Sequence, residues 1–521
     1  MKGLRRCGGR SEYFRKFALN ETGVSAKRRK KRNGVGAWLK RARVVVSLAM
    51  LAVCCVLFTT LTAEVALSLG WAARLQLVPL TLAGCTSALV AWVALTLVFG
   101  RLYCSWFCPM GAMQDIFARL RRLTRKQAFR HRYSYSRPKN LLRYIWLGII
   151  VVAAAMGAGV LLSLFDPYSA FGRIISQLVR PLWGALWGNP IAVSSIAAFV
   201  VALLTLFGIG AVASWRGRLY CNTLCPVGPS LSVLSRYSLF HFDIDTDVCV
   251  NCGACGRVCK SECIDQAGHV VDGSRCVMCF NCVDVCSEKA IRYTVNRKKL
   301  SIPMMQRVES PAATSAAVKI DRRKFMATGL LIAATPALDA VAGRLGIFEG
   351  KCKSSSERRP VVPPGRRSMR EFIERCTGCG LCVSHCPQQV LKPSAGQLGW
   401  VSMLHPVMDY DRSYCLYDCV MCTEVCPTEA LQPLTPDEKH IFIIGHASAE
   451  WDYCVGCGMC ARACPRDAIR MEERPAGTPV PPGAMSELVP VIDTTLCIGC
   501  GACQNRCPAT PDKAIAVCGI I

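Results

Sequence analysis

The residues that carry chemistry in this chain are its cysteines, 35 in 521 residues. Most fall into six short runs of four. The first is Cys249, Cys252, Cys255, Cys259. The second is Cys276, Cys279, Cys282, Cys286. The third is Cys376, Cys379, Cys382, Cys386. The fourth is Cys415, Cys419, Cys422, Cys426, with one extra residue in its first spacer. The fifth is Cys454, Cys457, Cys460, Cys464. The sixth is Cys497, Cys500, Cys503, Cys507. Spacers of two, two and three residues let three thiolates wrap one corner of an iron–sulfur cubane, while the fourth reaches the other cluster of a pair. Zinc sites use cysteine pairs with a longer gap between them. Six repeats of the run exclude cysteines that merely fill a core. The runs predict 24 ligands and six [4Fe–4S] clusters, with fourth ligands exchanged between neighbouring runs or, in the last four, a nested pairing.

A second pattern is a repeat. Gly100-Arg-Leu-Tyr-Cys104-Ser-Trp-Phe-Cys108-Pro109-Met-Gly111 returns as Gly217-Arg-Leu-Tyr-Cys221-Asn-Thr-Leu-Cys225-Pro226-Val-Gly228. Cysteines four apart can share one face of a helical turn. Cys104, Cys108, Cys221 and Cys225 are therefore candidates to bind metal or to cycle as thiols. Cys54, Cys55 and Cys85 read as small apolar packing residues. Cys7, Cys263, Cys352 and Cys518 have no partner pattern.

These motifs must be held by suitable elements. Hydrophobic residues are 52% of the chain, and the mean hydropathy is +0.30. Four uncharged stretches, Val44–Ala63, Leu75–Gly100, Tyr144–Phe165 and Pro181–Trp215, each supply the roughly 20 apolar residues of a spanning helix. The loop 101–143 holds eleven Lys/Arg and one acid, Asp115. The positive-inside rule puts that loop and both ends of the four-helix unit in the cytoplasm. The repeat, one copy after each even-numbered span, predicts a pseudo-symmetric bundle. The expected architecture is a multi-domain membrane protein: an α-helical bundle of four transmembrane helices, with a fifth available at Ala327–Leu338, plus α+β ferredoxin-like dicluster modules. Its parts are a basic cytoplasmic tail (1–43) that contacts anionic membrane lipid, the membrane domain (44–240), a two-cluster domain (241–300), a linker (301–370) and a four-cluster domain (371–521).

The formal charge of +28 shrinks to roughly +16 once six clusters of about −2 each are bound. The excess is juxtamembrane, which argues against nucleic acid as a partner. No cleavable signal peptide is expected, since the first apolar run starts only near Val44.

Together these motifs resemble the NapH-type and NapG-type subunits of bacterial quinol dehydrogenases that feed periplasmic nitrate reductase. Residues 40–300 look like the NapH type, with four spans, two Cys-x3-Cys-Pro motifs and two ferredoxin runs. The last part is similar to the NapG type, whose four clusters lie outside the cytoplasmic membrane. NosR-like and CcoG-like polyferredoxins share the plan. Cys259 and Cys286 depart from it, being followed by Lys260 and Ser287 instead of Pro. The resemblance implies a multi-pass protein of the bacterial inner membrane, with 241–300 cytoplasmic and 371–521 periplasmic. Asp321-Arg322-Arg323-Lys324-Phe325-Met326-Ala327, before an apolar run, resembles a twin-arginine export signal, and Ala340-Val341-Ala342 a small-residue cleavage site. The alternative is a linker helix, because twelve apolar residues are short for a span.

The expected function is electron relay, from quinol in the membrane through the clusters to a partner reductase, with no catalytic residue of its own beyond a quinol dehydrogenase role. Asp166, Tyr168, Ser169 and Arg173 are candidate polar groups for a quinone ring, or simply helix-end residues. All seven His (131, 241, 269, 385, 405, 440 and 446) lie outside the spans, which excludes an intramembrane bis-His haem. No Cys-x-x-Cys-His and no glycine-rich dinucleotide fingerprint occurs. The rival function is an assembly or metal-reduction factor, with Cys104, Cys108, Cys221 and Cys225 handling copper.

Overall fold

The computed structural model describes residues 34–60, 62–124, 133–186, 193–295, 359–399, 402–510 and 512–520. The segments read as a twin-arginine-like signal, its apolar run and the small-residue site lie outside these residues, as do Cys7, Cys352 and most of the linker.

Helix α1 spans Gly34–Thr59. Among the described residues two helices are long and apolar enough to cross a membrane, Gly36–Thr59 within α1 and Ile196–Arg216. The stretches expected as the second and third spans are divided. Gly84, at φ 75°, separates the helix Leu77–Leu82 from α2, Thr86–Phe99. After the helix α3, Pro109–Thr124, Gly157, at φ 79°, ends α4, Asn140–Ala155, and a short helix Gly159–Phe165 follows. A side chain rarely adopts that backbone, so glycine fixes both breaks. The fourth stretch divides as well: Arg180–Leu186 is one helix and α6, Ile196–Arg216, another, with α5, Pro167–Ile174, before them.

The two halves of the repeat fold alike. Gly100 (φ 80°) and Gly217 (φ 63°) end α2 and α6. Each is followed by a one-turn helix, Tyr103–Trp106 or Leu219–Thr223, that carries the first cysteine. Pro109 opens α3 and Pro226 caps the helix Val227–Ser235, positions where the missing amide hydrogen of proline costs nothing. Glycine is required at Gly111 and Gly228, where a Cβ would strike the carbonyl of Cys104 or Cys221.

Two ferredoxin-like modules flank this bundle. In the first, β1 (Phe240–Ile244) pairs antiparallel with β2 (Ile291–Val295), enclosing two one-turn helices, Ala254–Val258 and α7, Asn281–Val285. The second extends over 359–520 and repeats the plan. Leu391–Pro393 pairs with Pro406–Met408, Gly445–Ala449 with Ile515–Gly519 and, nested inside, Ile469–Glu473 with Leu488–Ile492.

The modules grip opposite ends of α1. Near its start, Gly36 packs on Val283 of α7 and Lys40 bonds Asp284 at 2.8 Å. Near its finish, His385 Nε2 meets the Leu57 carbonyl oxygen at 2.8 Å. His385 closes α8, Leu381–His385. Those two α1 contacts lie about 25 Å apart at 1.5 Å rise per residue, close to the roughly 30 Å of a bilayer's hydrocarbon core. The loop 101–143 belongs to the first end: the Ser136 carbonyl accepts from Arg275 at 2.8 Å. The loop 156–195 belongs to the second: Arg412 donates to the Val193 carbonyl at 3.3 Å, and Gly159 and Gly172 lie against the carbonyls of Ile373 and Cys379. The apolar core of the bundle, which holds Cys104, Cys108, Cys221 and Cys225, reaches the first module through Val277 and Cys279 and the second through Leu381, Val425, Cys379 and Cys382, while each module has a separate core of its own.

Candidate metal centres

Each cysteine run folds as a tight loop ending in a one-turn helix. In five of them the residue before the second cysteine and the residue after it both have positive φ: Asn251 and Gly253, Met278 and Phe280, Gly378 and Gly380, Gly456 and Gly458, Gly499 and Gly501. Left-handed backbone at these two positions curls the loop so that its three thiols face inward. The fourth run differs. Asp418 and Val420 stay out of that region, because its extra residue gives the loop enough length to close without it. Lys439, fully buried, donates into this loop to the carbonyls of Leu416 and Cys419. That places a cation beside the thiols, a feature no spacing pattern announces.

The fourth cysteine of each run crosses to its neighbour. One cavity is lined by Cys249, Cys252, Cys255 and, from the second run, Cys286. Another is lined by Cys497, Cys500, Cys503 and, from the fifth run, Cys464. Cys426 lies within electrostatic reach of Cys376, Cys379 and Cys382, and Cys386 within reach of Cys415 and Cys422. The pairing is therefore between neighbours and not nested. Four thiols around a common hollow are what a cubane needs, one for each iron. Cys263, for which the sequence offers no pattern, lies buried 3.5 Å from Cys259. Among the packing candidates, Cys54 is fully buried and Cys55 partly, whereas Cys85 is exposed at the start of α2, so packing within the protein does not account for it.

Cys104, Cys108, Cys221 and Cys225 come together, all 4–6% exposed. Cys225 lies within electrostatic reach of Cys104, Cys108 and Cys221, and Cys108 within reach of Cys104 and Cys221. The arginines that open the two copies of the repeat cross over. Arg101 Nη2 donates to the Cys221 carbonyl at 3.2 Å and Nη1 to Asn222 Oδ1 at 2.8 Å. Arg218 Nη1 donates to the Cys104 carbonyl at 2.6 Å. Arg101 Nη2 also approaches Cys104 Sγ at 3.9 Å. The tyrosines reach the other way: Tyr103 donates to Gln76 Oε1 and Tyr220 to the Phe165 carbonyl, both at 2.8 Å. These Arg and Tyr residues stand in both copies of the repeat, so duplication was the signal that could have singled them out.

Beside this centre, Asp115 meets Arg43 at 2.8 Å, Arg218 at 3.0 Å and Lys260 at 3.1 Å. Burial alone would raise the Asp115 carboxyl, but Arg218, Lys260 and Arg43 outweigh it and hold it well below the usual carboxylate range. On the other side, Asp166, Tyr168, Ser169 and Arg173 are all buried. Asp166 caps α5, accepting from Ser169 N at 2.7 Å and Oγ at 2.6 Å. Arg173 holds the carbonyls of Ser163 and Leu164 at 2.6 and 3.2 Å. These contacts favour helix-end roles over an open quinone pocket. Among the described residues, no three His, Cys, Asp or Glu side chains are close enough to hold a single metal ion. That is true of the ferredoxin runs and of the central four alike.

Comparison with known proteins agrees with the loops. A family described as 4Fe-4S binding domain matches residues 83–127 and 195–244. Two families described as 4Fe-4S dicluster domain match 375–430 with 453–510, and 272–390. The chain is 28% identical over 217 residues to the ferredoxin-type protein NapH of Escherichia coli, covering 40% of this chain and 67% of that protein. It is 27% identical to the NapH protein of Haemophilus influenzae, covering 37% of this chain and 62% of that one. It is 29% identical to the methylamine utilization ferredoxin-type protein MauM of Methylorubrum extorquens, covering 29% and 70%. The chain thus spans about two thirds of the length of these relatives, and it carries 4Fe–4S ferredoxin-like domains.

Proposed function

Taking this chain as a NapH-type polyferredoxin, we propose that it is a membrane relay in which six [4Fe–4S] clusters, held by the 24 cysteines of the six runs, carry electrons from quinol to a partner reductase of the periplasmic nitrate-reductase type. Electron transfer through 4Fe–4S clusters is the role its ferredoxin-like domains and relatives share. The supporting observation is the continuous apolar core that ends on Cys279 at one module and on Cys379 and Cys382 at the other. With the modules gripping opposite ends of α1, it favours a four-crossing bundle whose first module faces the cytoplasm and whose second faces the periplasm. The divided second and third stretches then cross as broken helices, buried backbone ends being tolerated where protein packs around them.

The chemistry divides naturally. Quinol oxidation releases two electrons and two protons, and each cluster accepts one electron. This chain's residues hold the thiolates, keep water from the core and bury the cations that offset the cluster charge. The test is anaerobic: the purified full chain is mixed in detergent with a menaquinol analogue, and cluster reduction is followed by absorbance bleaching and EPR. Reduction within the mixing experiment is expected. Inertness to quinol, with normal reduction by dithionite, removes quinol as donor. The rival reading is copper handling by Cys104, Cys108, Cys221 and Cys225, which are buried together in one apolar core.

A further inference from the structure

We infer that the cleft where the first module meets α4 and α6 is a phosphate-binding site, filled in the membrane by the headgroup of an anionic phospholipid. The inference goes beyond electron relay and rests only on the placement of the bundle in a membrane. Its first ground is charge. The cleft holds about 430 Å³ of space open to solvent. Arg216, the last residue of α6, lines it, as do Arg137, Lys139 and Arg143 around the start of α4 and Arg275 of the first module. Against these five cations stands a single lining carboxylate, Glu262. Asp272 answers Arg275 at 2.7 Å. Among the described residues no ion pair holds Arg137, Lys139, Arg143 or Arg216. Arg143 donates instead to the hydroxyls of Tyr144 at 2.7 Å and Ser232 at 2.9 Å.

The second ground is unmet hydrogen bonding. Arg143, Arg275 and Ser261 all line the cleft and are all more than nine-tenths buried. Arg143 Nε, Arg275 Nη2 and Ser261 Oγ are buried with no hydrogen-bond partner among the described residues. Buried donors left unpaired are costly. A phosphate removes that cost, because its charged oxygens accept strongly from guanidinium groups.

The third ground is position. The chain neighbours of the lining residues are apolar and exposed: Leu141, Leu142 and Ile145 on α4, Trp215 on α6, and Leu224. The Arg216 guanidinium lies 5.7 Å from the centre of the Trp215 ring. In a bilayer, tryptophan settles at the level of the headgroups, and a basic pocket at the end of spanning helices suits an anionic headgroup. Free phosphate would meet the cations but leave the apolar surface uncovered. A lipid satisfies both, its phosphate in the cleft and its acyl chains along α4 and α6.

The experiment titrates the full chain, delipidated in detergent under anaerobic conditions, with phosphatidylglycerol, phosphatidylcholine or inorganic phosphate. Native mass spectrometry counts the lipid bound per chain. Saturable binding of phosphatidylglycerol is expected, with phosphatidylcholine binding more weakly and inorganic phosphate displacing the lipid only in large excess. R137Q/K139Q/R216Q should weaken phosphatidylglycerol binding by about tenfold or more, since each basic residue at a membrane surface adds to the attraction. The charge-conserving R137K/K139R/R216K should retain most of it. R41Q/R119Q/R257Q removes the same charge from exposed positions outside the cleft and should bind as the wild type does. Unchanged cluster absorbance shows that each variant is folded. Equal phosphatidylglycerol affinity in R137Q/K139Q/R216Q and the wild type overturns the site, as does an equal loss in R41Q/R119Q/R257Q. Phosphatidylcholine binding as tightly as phosphatidylglycerol, a comparison that needs no variant, overturns the reading of charge. Inorganic phosphate displacing the lipid at equal concentration overturns the lipid as the source. The lipid count does not depend on quinol oxidation, so the two readings fail separately.

Discussion

Asp115 is the single carboxylate of a loop that carries eleven basic residues, and it answers three of the molecule's cations at 2.8–3.1 Å. It ties the start of α1 through Arg43, the second repeat through Arg218 and the first ferredoxin-like module through Lys260. Its depressed folded-state value means that its contribution is fully present above the ordinary carboxylate range and is lost as pH falls through the folded value. Asp115→Asn leaves three buried cations uncompensated, which typically costs about 3–5 kcal/mol. A clear fall in the thermal midpoint of the detergent-solubilised protein at neutral pH is expected, with partial recovery in Asp115→Glu; an unchanged midpoint would show that the cations find other partners. The crossing of fourth ligands makes a second prediction. Cys464→Ser should damage the cluster of Cys497, Cys500 and Cys503, not that of its own run. Of the cluster iron, roughly a sixth should be lost or converted to a three-iron species by EPR. Damage to the cluster of Cys454, Cys457 and Cys460 instead would refute the crossing.

At the scale of elements, the cysteine loops were legible because short-range spacing dictates them. Three thiols at fixed intervals with small or left-handed residues between them fold one way. The stretched fourth loop shows the limit: its extra residue was visible, but the relief from left-handed backbone and the buried Lys439 were not. The helices were less legible. Composition marks an apolar stretch, yet whether it continues as one helix depends on single residues such as Gly84 and Gly157. The central thiols were found through the repeat, but their meeting depends on long-range packing. Arg101 and Asn222 are 121 positions apart and Arg218 and Cys104 are 114. The helix contacts can be tested at Gly172 of α5, where a Cβ would press on Phe58 of α1 and on the Cys379 carbonyl. Gly172→Val should push the second module off the end of α1, an overpacking cost of about 1–3 kcal/mol. The expected readout is faster release of the 359–520 module in limited proteolysis, with its cluster spectrum intact. Proteolysis at the wild-type rate would mean that this contact does not hold the module.

At the scale of the whole molecule, the sidedness of the two modules decides what the relay does. In the proposed relay, the positive charge of loop 101–143 puts that end in the cytoplasm by the positive-inside rule, and with it the first module, which is tied to the loop through Arg275 and Ser136. The second module contacts only the other end among the described helices of the bundle: the last turn of α1, loop 156–195 and α5. An export step is then required for residues beyond the linker, and the twin-arginine-like stretch 321–327 is the segment whose composition suits it. The prediction is made for intact cells. A protease-sensitive tag after Ile521 should be cleaved in spheroplasts without lysis, whereas a tag placed at the amino end should survive until the membrane is broken. Replacing Arg322 and Arg323 with Lys should leave the second module inside and cut cluster-dependent electron delivery to an external acceptor at least tenfold, while cluster content stays near normal. If the carboxyl-terminal tag is protected in spheroplasts, both modules share the cytoplasm, and the apolar core between them serves packing, because electrons would then have no membrane to cross.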